Sequence, residues 1–516
     1  MIAFLKPKLL IPVRVGRLMI NSFRQLTFGK RSFVIEYLKP FIMKVEQIYT
    51  GCLAEAAYYI ESNGEVAIID PLRETKPYID KAERNGAKIK YILETHFHAD
   101  FVSGHIDLAK KTGATIVFGP TAAPAYDVHV AKDEEELTLG KVKIKVLHTP
   151  GHTMESTTFL LIDESGKEYA IFTGDTLFIG DVGRPDLVQK VKAEITPQIL
   201  AGYLFDSLRN KIMRLPDEVI VYPGHGAGSA CGKNMSKETT DTLGHQKMTN
   251  YALRADMSKE EFIKEVTEGL VEPPQYFPMN VLMNLKGGLE SIDDVIAKGK
   301  HPLTAKEFQT VWESMEALVL DTRSKDSFAA EYIPGSISIG IDDNFAPWVG
   351  TLVTDLKMPI LFIADKGREE EVVIRLSRVG YDNTVGYLDG GITAWKEAGF
   401  ATDSIKEISA EDFATLYEMD KQHINLLDAR RKSEFDSEHL VGAENFPLDF
   451  INHNMSQLDR NKKYFIHCAG GYRSVIMASI LKARSFEHLV NIQGGYNALS
   501  KTGLKKTHYV EPITML

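Results

Sequence analysis

The second half of the chain repeats itself with a period of a little over 100 residues. Val319-Leu320-Asp321-Thr322-Arg323 returns as Leu426-Leu427-Asp428-Ala429-Arg430, Ile333-Pro334-Gly335-Ser336 as Leu440-Val441-Gly442-Ala443, and Leu388-Asp389-Gly390-Gly391 as Ile492-Gln493-Gly494-Gly495. Self-similarity at a fixed period means that one fold is built twice. Each copy sets an apolar strand before a loop and a helix, Leu361-Phe362-Ile363-Ala364-Asp365 in the first and Tyr464-Phe465-Ile466-His467-Cys468 in the second. Strands and helices alternating at this spacing predict two α/β domains with largely parallel sheets, over 302–403 and 404–516. The second copy has a thiol where the first has Asp365.

At 516 residues the chain is long enough for about three domains. The tract Glu272-Pro273-Pro274-Gln275-Tyr276-Phe277-Pro278 breaks regular structure ahead of the repeat, which predicts a first domain over 43–286 and a linker over 287–301. Short apolar runs punctuated by turns, Val45 to Tyr49, Ala57 to Glu61 and Val66 to Ile69, open that first domain as strands, and a polar stretch follows. Before Met43, eight Lys and Arg residues stand against one acid, Glu36. This basic leader, 1–42, reads either as an extension outside the fold or as a transit or membrane-surface segment. The rest of the chain is acidic, since the formal charge of the whole is −10, so no nucleic acid is expected as a partner. No apolar run approaches the ~18 residues that span a bilayer, which excludes an integral membrane segment from the expectation. Three cysteines, Cys52, Cys231 and Cys468, are too few for a disulfide framework and point to a reducing compartment, the cytoplasm. Cys52 sits in an apolar context and reads as core.

The first domain carries metal chemistry in its pattern. The apolar run Lys90-Tyr91-Ile92-Leu93 leads into Thr95-His96-Phe97-His98-Ala99-Asp100-Phe101. Two imidazoles and a carboxylate at alternate positions after a strand can turn toward one cation. Further candidates follow at the ends of apolar runs: His152 in Thr149-Pro150-Gly151-His152-Thr153, Asp175 in Phe172-Thr173-Gly174-Asp175-Thr176, and His225 in Tyr222-Pro223-Gly224-His225-Gly226. Gly and Pro beside each one let the backbone turn tightly and present the side chain to a shared cleft.

This ordered set resembles the metallo-β-lactamase superfamily over about residues 44–285, which implies an αβ/βα sandwich. Hydrolases of that superfamily usually hold two metals and use a His directly after the motif's Asp; here that place is Phe101. Within it the set is most similar to persulfide dioxygenases, whose pattern implies one Fe(II) per chain on His96, His152 and Asp175. Two His and one carboxylate with open positions suit non-haem iron and O2. His98, Asp100 and His225 then surround the ligands and orient them. Arg184, in Gly183-Arg184-Pro185-Asp186, is a candidate to bind an anionic carboxylate or sulfur oxyanion. Cys231, on a Gly-rich loop six residues after His225, is a candidate to handle persulfide sulfur near the metal.

In the last domain Cys468-Ala469-Gly470-Gly471-Tyr472-Arg473-Ser474 runs from a strand into a helix. Gly470 and Gly471 let successive N–H groups point inward, and the helix end and Arg473 favour a thiolate, persulfide or oxyanion. With Asp428-Ala429-Arg430 this resembles a rhodanese domain, with Cys468 as sulfur carrier. The preceding copy resembles the same fold disarmed, since Asp365 and Glu369-Glu370-Glu371 repel an anion. The whole order is similar to dioxygenase–rhodanese fusions of sulfide detoxification. It implies oxidation of a low-molecular-weight persulfide, of glutathione or coenzyme A type, by O2 to sulfite, followed by thiosulfate chemistry at Cys468, in a homo-oligomer. Two rivals remain: a glyoxalase-II-type thioester hydrolase with zinc, and a sulfur-relay or sensor protein.

Overall fold

The computed structural model describes residues 43–187 and 195–511. The leader 1–42 lies outside the described residues. The first domain is two six-stranded sheets. One holds β1 (Lys44–Thr50), β2 (Glu55–Ser62), β3 (Glu65–Ile69), β4 (Lys88–Glu94), β5 (Thr115–Phe118) and β6 (His129–Val130), paired in that order. The other runs from β7 (Glu136–Leu139) through β8 (Val142–His148), β9 (Thr157–Ile162), β10 (Glu168–Gly174) and β11 (Ile220–Pro223) to β12 (Asp241–Thr242).

Alternation along β2 explains the layering. Ala56, Tyr58 and Ile60 face inward and join Phe159, Leu161 and Phe172 of the second sheet in one core. Ala57 and Tyr59 face the other way, onto Tyr78, Ala82 and Leu108 of the covering helices. A strand buried on both faces reads as a nearly unbroken apolar run, and β2 does. Leu160, Ile171 and Val221 pack beneath Leu204, Leu208 and Phe262 on the far side. The result is the αβ/βα sandwich.

Two stretches differ from their sequence reading. The polar stretch after β3 contains a helix, Lys76–Asn85, with only Tyr78 and Ala82 buried. A stripe of two residues is too thin to register as helical periodicity. The segment 287–301, expected as a linker, is helical over Ile292–Gly299. Ile292 and Val295 are buried, Asp293 and Asp294 occupy the first turn where the helix dipole favours them, and Gly299 lies against Val373 and Thr384 of the domain that follows.

The repeat yields two parallel five-stranded sheets of the same order. The first is β13 (Pro302–Leu303), β14 (Leu318–Asp321), β15 (Ile337–Ser338), β16 (Ile360–Ile363) and β17 (Thr384–Leu388), ordered β13-β17-β16-β14-β15. The second is β18 (Lys406–Ile408), β19 (Asn425–Asp428), β20 (Glu444–Asn445), β21 (Tyr464–His467) and β22 (Leu489–Ile492), ordered β18-β22-β21-β19-β20. Even the polar staples recur. Arg323 bonds Asp321 at 2.6 Å and donates to the Glu331 carbonyl at 2.8 Å, and Arg430 bonds Asp428 at 2.6 Å and donates to the Glu438 carbonyl at 2.9 Å.

Two arginines lock the first domain to the first repeat copy. Arg73, 2% exposed, bonds Asp382 at 2.8 Å and donates to the carbonyls of Glu290 and Ser377 at 3.0 and 3.3 Å. Arg378 pairs with Glu74, while its carbonyl accepts from the Val102 N–H at 2.7 Å. Removing one partner of a buried ion pair leaves the other uncompensated, so Arg73→Ala is expected to cost about 3 kcal/mol. Denaturant titration measures it; an unchanged unfolding midpoint would refute the role of the pair.

Candidate metal centre and thiol site

Each metal-ligand candidate leaves the end of a strand. His96, His98 and Asp100 follow β4, His152 follows β8, Asp175 follows β10 and His225 follows β11. Because the two sheets pack face to face, these loops converge at one rim. The glycines beside them permit the approach: a Cβ on Gly151 (φ +149°) would fall 2.4 Å from the Leu204 backbone, and one on Gly224 would fall 2.7 Å from Asp175 Oδ1.

His96, His152 and Asp175 bring one ligand atom each to within 4.8 Å of one another, and so do Asp100, His225 and Cys231. Asp175 stands between the two groups, its Oδ2 3.4 Å from His152 Nε2 and its Oδ1 3.5 Å from His225 Nε2. Hydrogen bonds fix the imidazole tautomers. His152 Nδ1 lies 2.9 Å from the Arg184 carbonyl and His225 Nδ1 3.2 Å from the Ala54 carbonyl. A carbonyl only accepts, so both Nδ1 atoms carry the hydrogen. Thr95 Oγ1 donates to Asp70 Oδ2 at 2.8 Å and so accepts from His96 Nδ1 at 2.9 Å. All three rings therefore turn an Nε2 lone pair inward. His152 Nε2 and both oxygens of Asp100 and Asp175 are buried without a hydrogen-bond partner. Unpaired lone pairs converging in a dry site fit a cation. Burial, then the neighbouring imidazoles of His98, His152 and His225, holds the pKa of His96 well below its ordinary value, as a neutral ligand requires.

His98 goes elsewhere. Its Nε2 lies 3.1 Å from Asp70 Oδ1 and 3.7 Å from Glu94 Oε2, and its ring packs on Phe101 with centroids 4.3 Å apart. Burial opposes its charging, but Asp70 and Glu94 outweigh that and push its pKa up to about 9. It braces Asp70, which orients His96 through Thr95. Cys231 is 1% exposed, and burial, then Asp175 and Asp100, push its thiol pKa up.

Arg184 corrects an expectation. Its guanidinium is committed to Asp186 at 2.6 and 2.8 Å, to the Ala230 carbonyl at 3.1 Å and to the Val271 carbonyl. With four of its five N–H groups spent internally it serves to staple the Cys231 loop. Cys52 is likewise not core: half-buried, it borders the cavity over Asp100 and accepts from Arg378 Nη1 at 3.4 Å.

Cys468 follows β21, 2% exposed. Gly471 (φ +103°) caps the helix Tyr472–Ala483, and its N–H donates to Cys468 Sγ at 3.1 Å. Gly470 has open space, with only Asn497 near a Cβ placed there. Arg473 is bidentate to Glu434 at 2.5 and 2.8 Å, so its charge reaches the thiol already paired. In the first copy Asp365 follows β16 at the corresponding place.

Residues 50–225 match the metallo-β-lactamase superfamily, and residues 304–398 and 409–502 each match the rhodanese-like domain. A probable hydroxyacylglutathione hydrolase of Schizosaccharomyces pombe is 31% identical over 38% of this chain and 74% of its own length. A solved metallo-β-lactamase of Staphylococcus aureus is 32% identical, covers 68% of this chain and 99% of its own, and superposes with a TM-score of 0.59. The chain belongs to the metallo-β-lactamase superfamily and carries two rhodanese-like domains behind that fold. Over 44% of its length it is also similar, at 28% identity, to the mitochondrial persulfide dioxygenase ETHE1 of Homo sapiens, of which it covers 81%. Among the described residues no helix is long and apolar enough to cross a membrane.

Thr95→Val breaks the link from Asp70 to His96 while leaving all the ligands. It is expected to weaken metal binding by about 10- to 100-fold, measured by chelator competition, with Asp175→Ala losing the metal outright. Wild-type affinity in Thr95→Val would refute the orienting role.

Proposed function

We propose that the chain is an iron-dependent persulfide dioxygenase joined to a rhodanese sulfurtransferase. One Fe(II) on His96, His152 and Asp175 supplies the redox chemistry that joins O2 to the outer sulfur of a low-molecular-weight persulfide, giving sulfite. The observation that carries this is the donor set itself, two imidazoles and one carboxylate converging in a buried site, which suits iron that must keep open positions. Likeness to the human persulfide dioxygenase supports it. Phe101, fully buried against His98, occupies the place that two-metal hydrolases of the superfamily fill with a His, as the resemblance implies. The protein's part is to hold three rings in one tautomer, exclude water and keep Cys231 as a neutral thiol beside the reacting sulfur.

Cys468 carries sulfane sulfur, received from a persulfide or thiosulfate, with the Gly471 N–H steadying the sulfur. Three unpaired cysteines fit a cytoplasmic setting.

A second reading is a two-zinc thioester hydrolase, favoured by the second three-ligand group of Asp100, His225 and Cys231 and by likeness to a hydroxyacylglutathione hydrolase. Metal analysis with oxygen uptake separates the two. About one iron per chain with persulfide-dependent O2 consumption is expected; two zincs with thioester turnover would overturn the dioxygenase reading. Cys468→Ser is expected to lower thiosulfate sulfur transfer by about 10³-fold or more, as loss of a nucleophile does, and to leave persulfide-dependent O2 uptake in place. If transfer survives, Cys231 becomes the carrier.

A further inference from the structure

The cavity over Asp100 measures about 140 Å³, and Asp100 is the one member of the two ligand groups that lines it. Apolar side chains make most of its wall. Leu53 comes from the turn before β2, Pro274 and Tyr276 from the tract ahead of the repeat, and Pro347 and Trp348 from the helix Phe345–Leu352 of the first rhodanese-like copy. The copy without a thiol therefore closes the space above the metal candidates.

This wall is held at both ends. The Trp348 N–H donates to the Asn344 carbonyl at 3.1 Å, and Asn452 of the second copy donates to the Leu352 carbonyl at 3.0 Å. Gly350 lets the helix press on Tyr276, since a Cβ there would fall 2.6 Å from the ring. Trp348, 6% exposed, is thus fixed against a packed neighbour, and the cavity does not widen to suit a larger guest. An apolar cavity of about 150 Å³ holds a six-carbon ring, so this one has room for the two sulfurs of a persulfide and about four further heavy atoms. Trp348 also borders the larger cavity against the Cys468 loop. Its indole stands as a partition between the two.

We propose that Trp348 sets the substrate class of the metal site, admitting a persulfide on an unbranched carbon, R–CH2–S–S⁻, and rejecting one whose sulfur-bearing carbon is branched. This rests on the function proposed above. The rest of the carrier leaves past Thr351 and Arg431, which line both this cavity and the one that runs on to Phe450. Methyl groups on the carbon beside the sulfur need the space that the indole fills. The thiol-free copy acts as a specificity element for the chemistry of another domain.

Cysteine persulfide and penicillamine persulfide form the probe pair, alike in charge and different only by two methyl groups on the sulfur-bearing carbon. Their intrinsic reactivities cancel when one variant is compared with another. Wild-type protein is expected to prefer cysteine persulfide about 100-fold in kcat/KM for O2 uptake, Trp348→Leu by less than about 10-fold, and Trp348→Phe, which keeps an aromatic ring on the helix, by an amount between. Anaerobic calorimetry of the metal-loaded protein with the unreactive S-methyl disulfides of the two amino acids reads the same preference as a ratio of binding constants. Wild type that takes both probes equally, or Trp348→Leu that keeps the wild-type binding ratio, overturns the assignment and leaves the dioxygenase reading standing. If no persulfide supports O2 uptake, the dioxygenase reading falls, and the binding ratio still decides the role of Trp348.

Discussion

A carboxylate buried without partners organises this molecule. Both oxygens of Asp175 are unbonded, at 3.4 and 3.5 Å from two imidazole nitrogens whose own hydrogens face outward. Burying such a charge costs several kcal/mol unless a cation answers it. The surrounding architecture meets that demand. Ligands arrive from β4 in one sheet and from β8, β10 and β11 in the other, so they converge only when the sandwich core of Tyr58, Phe159 and Phe172 has closed. Where side chains would keep the loops apart, glycines stand instead.

How much of this was legible in the sequence depends on what kind of information each residue carries. The ligand order was legible because glycine or proline beside a His or Asp at a strand end is a local signal. The sandwich and the parallel repeats were legible from apolar runs and their spacing. The place of His98 behind the ligands followed from the family resemblance, but its partner was not legible, because two imidazoles two residues apart look alike until the neighbouring strand is known. β3 lies beside β4 and ends at Ile69, one residue before Asp70, and that carboxylate decides the ring's direction. The pairing of strand ends in parallel neighbours was the signal available. Arg184 misled for a related reason: its proximity to Asp186 in sequence was visible, but the carbonyls of Ala230 and Val271 come from distant chain. Cys52 stands in a turn between β1 and β2 facing Arg378 from another domain, a contact no local pattern records.

The two rhodanese-like copies separate fold from chemistry. Asp321 with Arg323 and Asp428 with Arg430 hold the same staple in both, and both sheets have the same order. The first copy has Asp365 where the second has Cys468, and the scaffold is the same in both. The two copies also bond to each other directly. Tyr472 of the second copy donates to the Gly340 carbonyl of the first at 3.1 Å, and the Ser338 N–H donates to Ser479 at 3.0 Å.

The bond from the Val102 N–H to the Arg378 carbonyl ties the metal loop to the domain behind it. Val102 sits two residues from Asp100, so the backbone of the metal loop is completed by the copy that has Asp365 where its sibling has Cys468. Deleting that copy would leave an amide of the metal loop unbonded and Glu74 without its arginine. The metal domain is therefore not a module that can be cut free: part of its rim is built by its neighbour.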